Sequence, residues 1–313
     1  MIRTKWASAA VSILASTALV GCSQGGSDGP SSGRSTLSVS LMDAPVDGVT
    51  AVHVRITSMW IKPTGGPAVE LPLAKDPLDV NLLALTDTNA AILLDNASIE
   101  AGSYEWLAMD IAAVPGERDS YVLTETGAEE EIETDLRVPS GRMRLVSGFD
   151  VPPNQAVRLL FDWDMRQGLV YPPGQGQYLL KPAFRMLDVT AYGVLQGTIA
   201  AATVGTSLDP AVNHCAIDDD DLDVGNIVYV FAGSVAPNDI DGTDDAVATV
   251  AATRNPSGGY VYRTLLDPGV YTVVFTCEGA NDDPLATDEI TFLNPSGTTN
   301  PITNTGNATS VDF

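Results

Sequence analysis

Alternation of apolar and polar residues dominates the chain after residue 35. In residues 52–57, VHVRIT, the two kinds of side chain alternate with a period of two, which is typical of a strand buried on one face. Similar runs, separated by clusters of proline and glycine that favour turns, occupy residues 37–41, 78–82, 106–111, 143–146, 157–161 and 178–180. A short helix is an alternative over residues 88–94. The pattern predicts an all-β protein built from β-sandwiches.

A change of composition near residue 191 predicts two domains. All four lysines precede this point, whereas the residues that follow it carry 17 Asp and Glu but only Arg254 and Arg263, a balance of −15. Apolar runs continue at residues 193–199, 227–231, 247–251, 259–262 and 271–277. We therefore expect one β domain over residues 36–190, a second β-sandwich over 191–293, and a loose polar tail over 294–313.

The first 22 residues carry an export signal. Arg3 and Lys5 precede an uncharged, mostly apolar run over residues 6–20, and Leu-Val-Gly-Cys follows at residues 19–22. This end resembles the lipobox of bacterial lipoproteins, which implies cleavage before Cys22 and lipid on its thiol. An ordinary signal peptide with a chance cysteine is the alternative. Residues 22–35, rich in glycine and serine, read as a flexible tether. Ser23 stands where an aspartate would resemble the inner-membrane retention signal, so the resemblance implies the outer membrane.

The net charge of −24 limits the classes of partner. A surface this acidic repels nucleic acid, and no cluster of basic residues offsets it, so a nucleic-acid role is excluded. Lipidation at Cys22 leaves Cys215 and Cys277 in an exported chain, and two thiols in an oxidising compartment most simply form one disulfide. A metal or redox pair is the alternative, but the close C-x-x-C spacing is missing.

Three segments carry a resemblance to a known family. They are LSVSLMDAPVD at residues 37–47, VRLLFDWD at 157–164 and YLLKP at 178–182. Over roughly residues 36–190 the chain resembles the bacterial DUF4382 domain, which has no established activity. The second domain is similar to carboxypeptidase-regulatory-like and transthyretin-like sandwiches at Gly193, Gly197 and residues 257–260 and 266–271. That resemblance implies a fold and little more.

Two acidic loops are candidates for metal binding. Residues 218–223 read DDDDLD, and Asp239, Asp241, Asp244 and Asp245 surround the turn residue Gly242. Calcium takes six to eight oxygen ligands, and closely spaced carboxylates around a glycine supply them. The spacing is not that of an EF-hand, because a proline falls at the first ligand position and no glutamate at the twelfth. The alternative is an acidic, solvated surface without an ion.

Other polar and aromatic residues offer weaker signals. Asp43 could act as a ligand or a general base, and the simpler alternative is that it caps a turn. Asp162 and Asp164 lie on one face of a predicted strand, as the two carboxylates of a glycosidase would. His53 is expected on the polar face of a strand and His214 in a loop. Trp60, Trp106 and Trp163 either form a sugar-stacking surface or belong to the core.

No sequence motif for a catalytic triad, a zinc site or a phosphate-binding loop is present. We therefore expect a lipoprotein of the cell envelope that acts without catalysis. Its leading function is to bind a protein or glycan partner while lipid holds it to the membrane. The alternative is a carbohydrate-binding surface protein stabilised by calcium.

Overall fold

The computed structural model describes residues 33–44, 46–85, 89–126, 130–207, 213, 215–216, 222–295, 302–303 and 306–313. Strands predominate and the helices are single turns, which confirms the all-β prediction. Cys22, the predicted signal peptide, most of the tether, His214 and most of the acidic run 218–223 lie outside the described residues.

The N-terminal part, residues 34–188, consists of strands joined by short turns. Its helical pieces are a 3₁₀ turn, Leu82–Ala84, and the one-turn helix α1 (Met165–Gly168). The strands are β1 (Arg34–Ala44), β2 (Ala51–Pro63), β3 (Val69–Leu71), β4 (Leu78–Asn81), β5 (Ala91–Glu100), β6 (Gly102–Ala112), β7 (Tyr121–Thr126), β8 (Glu130–Arg137), β9 (Arg142–Leu145), β10 (Phe149–Val151), β11 (Ala156–Asp164), β12 (Leu169–Val170), β13 (Tyr178–Leu180) and β14 (Phe184–Asp188).

These strands form two facing sheets. One has the order β14-β11-β1-β5, with β1 and β11 parallel. The other has ten strands in the order β10-β6-β2-β7-β8-β13-β12, with β3 and β4 added to β2 and β9 added to β6. Leu37, Val39 and Leu41 of β1 pack against Val54 and Ile56 of β2, so the apolar face of each sheet closes the core. Burial of these side chains is the main term that stabilises this sandwich.

The C-terminal part, residues 193–313, forms a second, smaller sandwich. Its elements are β15 (Gly193–Ile199), α2 (Ala201–Val204), β16 (Ile227–Ala232), β17 (Ala248–Ala251), β18 (Thr253–Arg254), β19 (Tyr260–Leu266), β20 (Gly269–Thr276), a 3₁₀ turn (Gly279–Asn281), β21 (Ile302–Thr303) and β22 (Ala308–Ser310). The sheet β18-β19-β15-β22 faces the sheet β17-β16-β20-β21. Leu195, Val228, Tyr262 and Phe275 meet in the core between them.

Strands up to β14 belong to the sheets of the N-terminal part, and strands from β15 onward belong to the sheets of the C-terminal part. Residues 32–313 nevertheless make one compact unit. Apolar contacts join the two parts, since Met42, Leu160 and Leu187 pack against Leu265. The domain boundary at residue 190 stays a prediction.

Two sequence expectations differ from the structure. Residues 91–94 belong to strand β5 and not to a helix, because their neighbours Val39, Ser40 and Leu41 in β1 provide strand pairing that an isolated helical turn lacks. Residues 306–313 are not a loose tail: β22 pairs in parallel with β15. Val311 enters the core there, and its carbonyl oxygen accepts a hydrogen bond of 2.8 Å from the Tyr262 hydroxyl.

Candidate functional site

The short helix α1 lies where the two parts meet, and a buried carboxylate organises it. Asp164 caps the helix by accepting a hydrogen bond from the backbone N–H of Gln167 at 3.3 Å. The same carboxylate accepts hydrogen bonds from the backbone N–H of Thr249 at 3.0 Å and from its hydroxyl at 2.8 Å. Burial raises the pKa of Asp164, because a desolvated carboxyl group favours its neutral form. Asp164 thus ties β11 and α1 to β17.

Arg166, in the same helix, makes a second connection. Its side chain is buried and donates hydrogen bonds to Asp47 Oδ2 at 2.7 Å and to the carbonyl oxygen of Gly279 at 2.6 Å. The arginine of this ion pair is buried and the aspartate is partly exposed, so removal of Asp47 would leave a buried charge with one partner fewer. Arg166 therefore holds the loop after β1 and the 3₁₀ turn after β20 in one arrangement.

The strand that carries Asp162 and Asp164 does not present a catalytic pair. Trp163 between them is fully buried, and its Nε1 donates to the carbonyl oxygen of Lys181 at 3.3 Å. Arg185 donates two hydrogen bonds to Asp162 Oδ2, at 2.9 and 2.5 Å, whereas Asp164 is held by Thr249. Each carboxylate thus has a structural partner, which disfavours the glycosidase hypothesis.

Three carboxylates from two loops meet beside the outer face of the C-terminal sandwich. Asp239, Asp282 and Asp288 each offer a carboxylate oxygen, and these oxygens all lie within 4.8 Å of one another. We refer to these three residues as the acidic cluster. Asp282 accepts hydrogen bonds from the Tyr229 hydroxyl at 2.5 Å and from the backbone N–H of Ile240 at 3.1 Å.

Burial also affects the ionisation of the acidic cluster. Desolvation raises the pKa of Asp282, and the nearby Asp239 adds to the rise. Oxygen ligands at this spacing fit a hard divalent cation, whose charge would relieve the repulsion among them.

The predicted calcium ligands divide between this cluster and their own loop. Asp239 belongs to the cluster, but Asp245 Oδ1 accepts from the backbone N–H groups of Asp241 and Gly242, at 3.1 and 3.0 Å. Asp244 is exposed and has a positive φ of 56°. Asp241 and Asp245 thus shape the turn by bonding to backbone groups. Asp282 and Asp288 could not be predicted as partners of Asp239, because only the fold brings residues this far along the chain together.

Two tryptophans and two arginines lie on the open face of the ten-stranded sheet. The Arg142 guanidinium lies 4.8 Å from the Trp60 ring centroid, and that of Arg144 lies 4.5 Å from the centroid of Trp106. Asp110 fixes the first pair: it accepts from Trp60 Nε1 at 2.8 Å and from Arg142 Nε and Nη2 at 2.5 and 2.8 Å. Hydrogen bonds from Arg142 are the main reason that the pKa of Asp110 is lowered. We call Trp60, Trp106, Arg142 and Arg144 the tryptophan–arginine face.

A cleft of about 750 Å³ lies between the two parts. Asp43 and Asp162, near the ends of β1 and β11, form one side, and Gln196, Thr198 and Val261 of β15 and β19 form another. Volumes in this range accommodate small ligands, and domain junctions are frequent places for such sites. We call it the junction cleft. Asp43, expected in a turn, lies within β1 opposite Trp163.

The remaining candidate residues from the sequence analysis make contacts that stabilise the fold. His53, on β2, stacks on Tyr121 with a ring-centroid distance of 4.7 Å. Cys215 and Cys277 form a disulfide, which confirms the predicted pairing and ties the loop before β16 to the end of β20.

The family comparison supports one of the two resemblances. The model described as "Domain of unknown function (DUF4382)" matches residues 34–182, which confirms the resemblance drawn from the motifs at 37–47, 157–164 and 178–182. The transthyretin-like interpretation of the C-terminal part stays a prediction. A search of curated proteins gave no match.

Solved structures give only distant likenesses. A candidate cell adhesion protein from Bacteroides fragilis is 10% identical over 88% of this chain and 92% of its own, with a TM-score of 0.18. The minor pilin of Streptococcus agalactiae is 9% identical over 89% of this chain and 94% of its own, with a TM-score of 0.17. Likenesses this weak carry no argument about function. Within the described residues, no helix is long and apolar enough to cross a membrane.

Proposed function

We propose that this chain is an exported lipoprotein of the cell envelope, held to the outer membrane by lipid on Cys22, that binds a protein partner and catalyses no reaction. The export signal and lipobox-like residues 19–22 support the anchor. Two acyl chains are enough for stable attachment to a membrane, because each buried methylene contributes about 0.8 kcal/mol. The observation that carries the binding role is the tryptophan–arginine face.

Tryptophan and arginine are the residues most enriched where protein interfaces bind tightly. Arg144 is exposed, and it makes no ion pair with any carboxylate in the described part of the chain. Its stacking on Trp106 restricts the guanidinium, which lowers the entropy that a contact with a partner would cost. Val146, which follows the same strand, is 73% exposed.

The partner that fits this face is a protein with an acidic contact surface. The face lies on a sheet, which suits a broad protein surface better than a small molecule. Arg142 and Arg144 lie there in a chain with 16 Lys and Arg against 40 Asp and Glu. Positive charge concentrated at one place on an otherwise negative protein surface directs an acidic partner to that place.

Binding to isolated cell envelopes tests this role. The purified mature protein should bind saturably, and protease treatment of the envelopes should abolish the binding. Arg144→Ala should weaken it about tenfold or more, which is the scale of an interface hot spot. Arg118→Ala is the matched control, because Arg118 also stacks on an aromatic ring, Tyr121, but is not one of the four residues of this face. Equal binding by both variants would rule out the tryptophan–arginine face as the contact.

Labelling with radioactive palmitate tests the anchor separately. The wild-type chain should incorporate label and fractionate with outer membranes, and Cys22→Ala should lose both properties. Label that persists in Cys22→Ala would refute lipidation at this cysteine and leave the binding role to be judged on its own experiment.

A second candidate function is carbohydrate binding with calcium as a stabilising ion, and the acidic cluster favours it. Millimolar calcium should raise the thermal midpoint of the wild-type protein, because an ion that binds only the folded state stabilises that state. Asp239→Asn should remove most of this shift. Asp244→Asn should keep it, since Asp244 is exposed in the loop outside the cluster. Equal shifts in wild type and Asp239→Asn would eliminate the cluster as the ion site.

A further inference from the structure

The junction cleft is lined by a carboxylate with one oxygen that makes no hydrogen bond within the described residues. Asp162 is only 7% exposed, and both hydrogen bonds that it accepts from Arg185 go to Oδ2. No donor among the described residues reaches Oδ1. Asp162 lines the cleft, and Oδ1 is not sealed from solvent, so a ligand in the cleft can donate to it in place of water. Asp162 therefore offers the cleft a charged acceptor held in position by Arg185.

The chemistry of the walls restricts the ligand. Asp43, Asp162 and Asp312 line the cleft together with one arginine, Arg263, so an anionic ligand would be repelled. These carboxylates do not form a metal-binding group; in the described residues that arrangement occurs only at the acidic cluster. A neutral ligand with hydroxyl donors fits the excess of acceptors.

The remaining walls match the two-sided surface of a sugar. Thr198 and Ser310 bring hydroxyl groups, and Gln196 brings an amide, all of which exchange hydrogen bonds with hydroxyls. Val250 and Val261 provide apolar contact, and Val261 is 39% exposed. A pyranose ring combines a rim of hydroxyl groups with C–H faces, so it can satisfy both kinds of wall at once. The volume of about 750 Å³ is sufficient for a short oligosaccharide.

We infer that the junction cleft binds a short neutral oligosaccharide, with Asp162 Oδ1 accepting hydrogen bonds from ligand hydroxyl groups. The inference rests on the carbohydrate-binding candidate function, to which it gives a site and a ligand class. It also gives the packing of the two parts a role, because Asp162 and Val261 belong to different sandwiches and only their junction creates the site.

Calorimetry on the full mature chain tests the inference. The probes are neutral trisaccharides of glucose, mannose and N-acetylglucosamine, with trigalacturonate as the anion and spermidine as the cation. At least one neutral trisaccharide should bind, and more tightly than either charged probe. Val261→Trp should weaken that binding about tenfold or more by filling the cleft from an exposed position. Val270→Trp is the matched control: Val270 is 43% exposed, also on a strand, and does not line the cleft, so its variant should stay within about twofold of wild type.

A second variant makes the test independent of the bulk of tryptophan. Asp162→Asn keeps the size of the side chain, replaces the charged acceptor and should weaken binding about tenfold, the scale of a hydrogen bond to a charged group. Thermal unfolding of each variant verifies that it is folded.

The possible outcomes distinguish the inference about the junction cleft from the carbohydrate-binding function on which it rests. Binding of a neutral trisaccharide that neither Val261→Trp nor Asp162→Asn weakens would overturn the site and leave carbohydrate binding intact. Tighter binding of spermidine or trigalacturonate would overturn the ligand class. No binding of any trisaccharide would overturn the carbohydrate function together with this inference.

Discussion

Asp164 and Thr249 lie 85 residues apart, yet the buried carboxylate of Asp164 accepts hydrogen bonds from both the backbone N–H and the hydroxyl of Thr249. Strand β11 of the larger sandwich is thereby connected to β17 of the smaller one. Because both residues are buried, water cannot replace the hydroxyl if it is removed.

Thr249→Val should therefore destabilise the protein by about 1–3 kcal/mol, the scale of a hydrogen bond to a charged group, because it removes one of the donors to the buried Asp164. Valine keeps the shape of threonine, so packing changes little. The free energy of unfolding in urea measures the effect. Thr253→Val is the control, since the hydroxyl of Thr253 is exposed and bonds weakly to the Val261 carbonyl at 3.5 Å. Equal stability of the two variants would contradict a structural role for the Asp164–Thr249 contact.

The C-terminal strand depends on the absence of a side chain at residue 197. A Cβ on Gly197 would overlap the carbonyl oxygen of Val311 and lie 2.8 Å from the ring of Tyr262. Gly197→Ala should destabilise the chain by about 1–3 kcal/mol, as overpacking does, and expose residues 306–313 to proteolysis. Gly66→Ala is the control, because its Cβ would meet Pro63 at an ordinary 3.6 Å. Unchanged proteolysis in Gly197→Ala would show that β22 does not require this close approach.

Strands such as β1 and β2 were predictable from the sequence, because their alternation reflects burial on one side of a sheet. The orientation of Trp60 was not, because β2 contains a bulge. Residues 52, 54 and 56 face the core, and continued alternation would place residue 60 inside as well. The register shift between Ile56 and Ser58 moves Met59 and Ile61 into the core and turns Trp60 outward. Alternation alone cannot reveal an inserted residue.

The candidate sites were less predictable than the fold. The acidic loop around Gly242 was visible, but the cluster that Asp239 joins contains Asp282 and Asp288 from a different loop. The junction cleft depends on packing between parts that sequence patterns describe separately. The disulfide, in contrast, followed from counting, because the predicted lipidation of Cys22 leaves only Cys215 and Cys277 to pair.

Removal of the disulfide should cost considerable stability. Cys215 and Cys277 are separated by 62 residues, and closing a loop of this length restricts the unfolded chain by about 4 kcal/mol in the chain-entropy model. The double variant Cys215→Ser, Cys277→Ser should lose about that much free energy of unfolding in urea. A reducing agent should lower the stability of the wild-type protein and leave the double variant unchanged. If the oxidised and reduced wild-type proteins unfold at the same urea concentration, the crosslink is not stabilising.

The raised pKa of Asp282 predicts how stability depends on pH in a buffer that contains a metal chelator. In the unfolded chain an aspartate loses its proton near pH 4, whereas burial keeps the proton on Asp282 of the folded protein to a higher pH. Above about pH 4 the folded state therefore binds more protons than the unfolded state, and the contribution of this group to stability falls as the pH rises through the folded pKa. Asp282→Asn removes the titration, so its stability should decline less than that of the wild type. Asp244→Asn, exposed in the neighbouring loop, should follow the wild type. Urea unfolding at a series of pH values gives the comparison. Parallel curves for wild type and Asp282→Asn would mean that this carboxyl group ionises alike in the folded and unfolded protein.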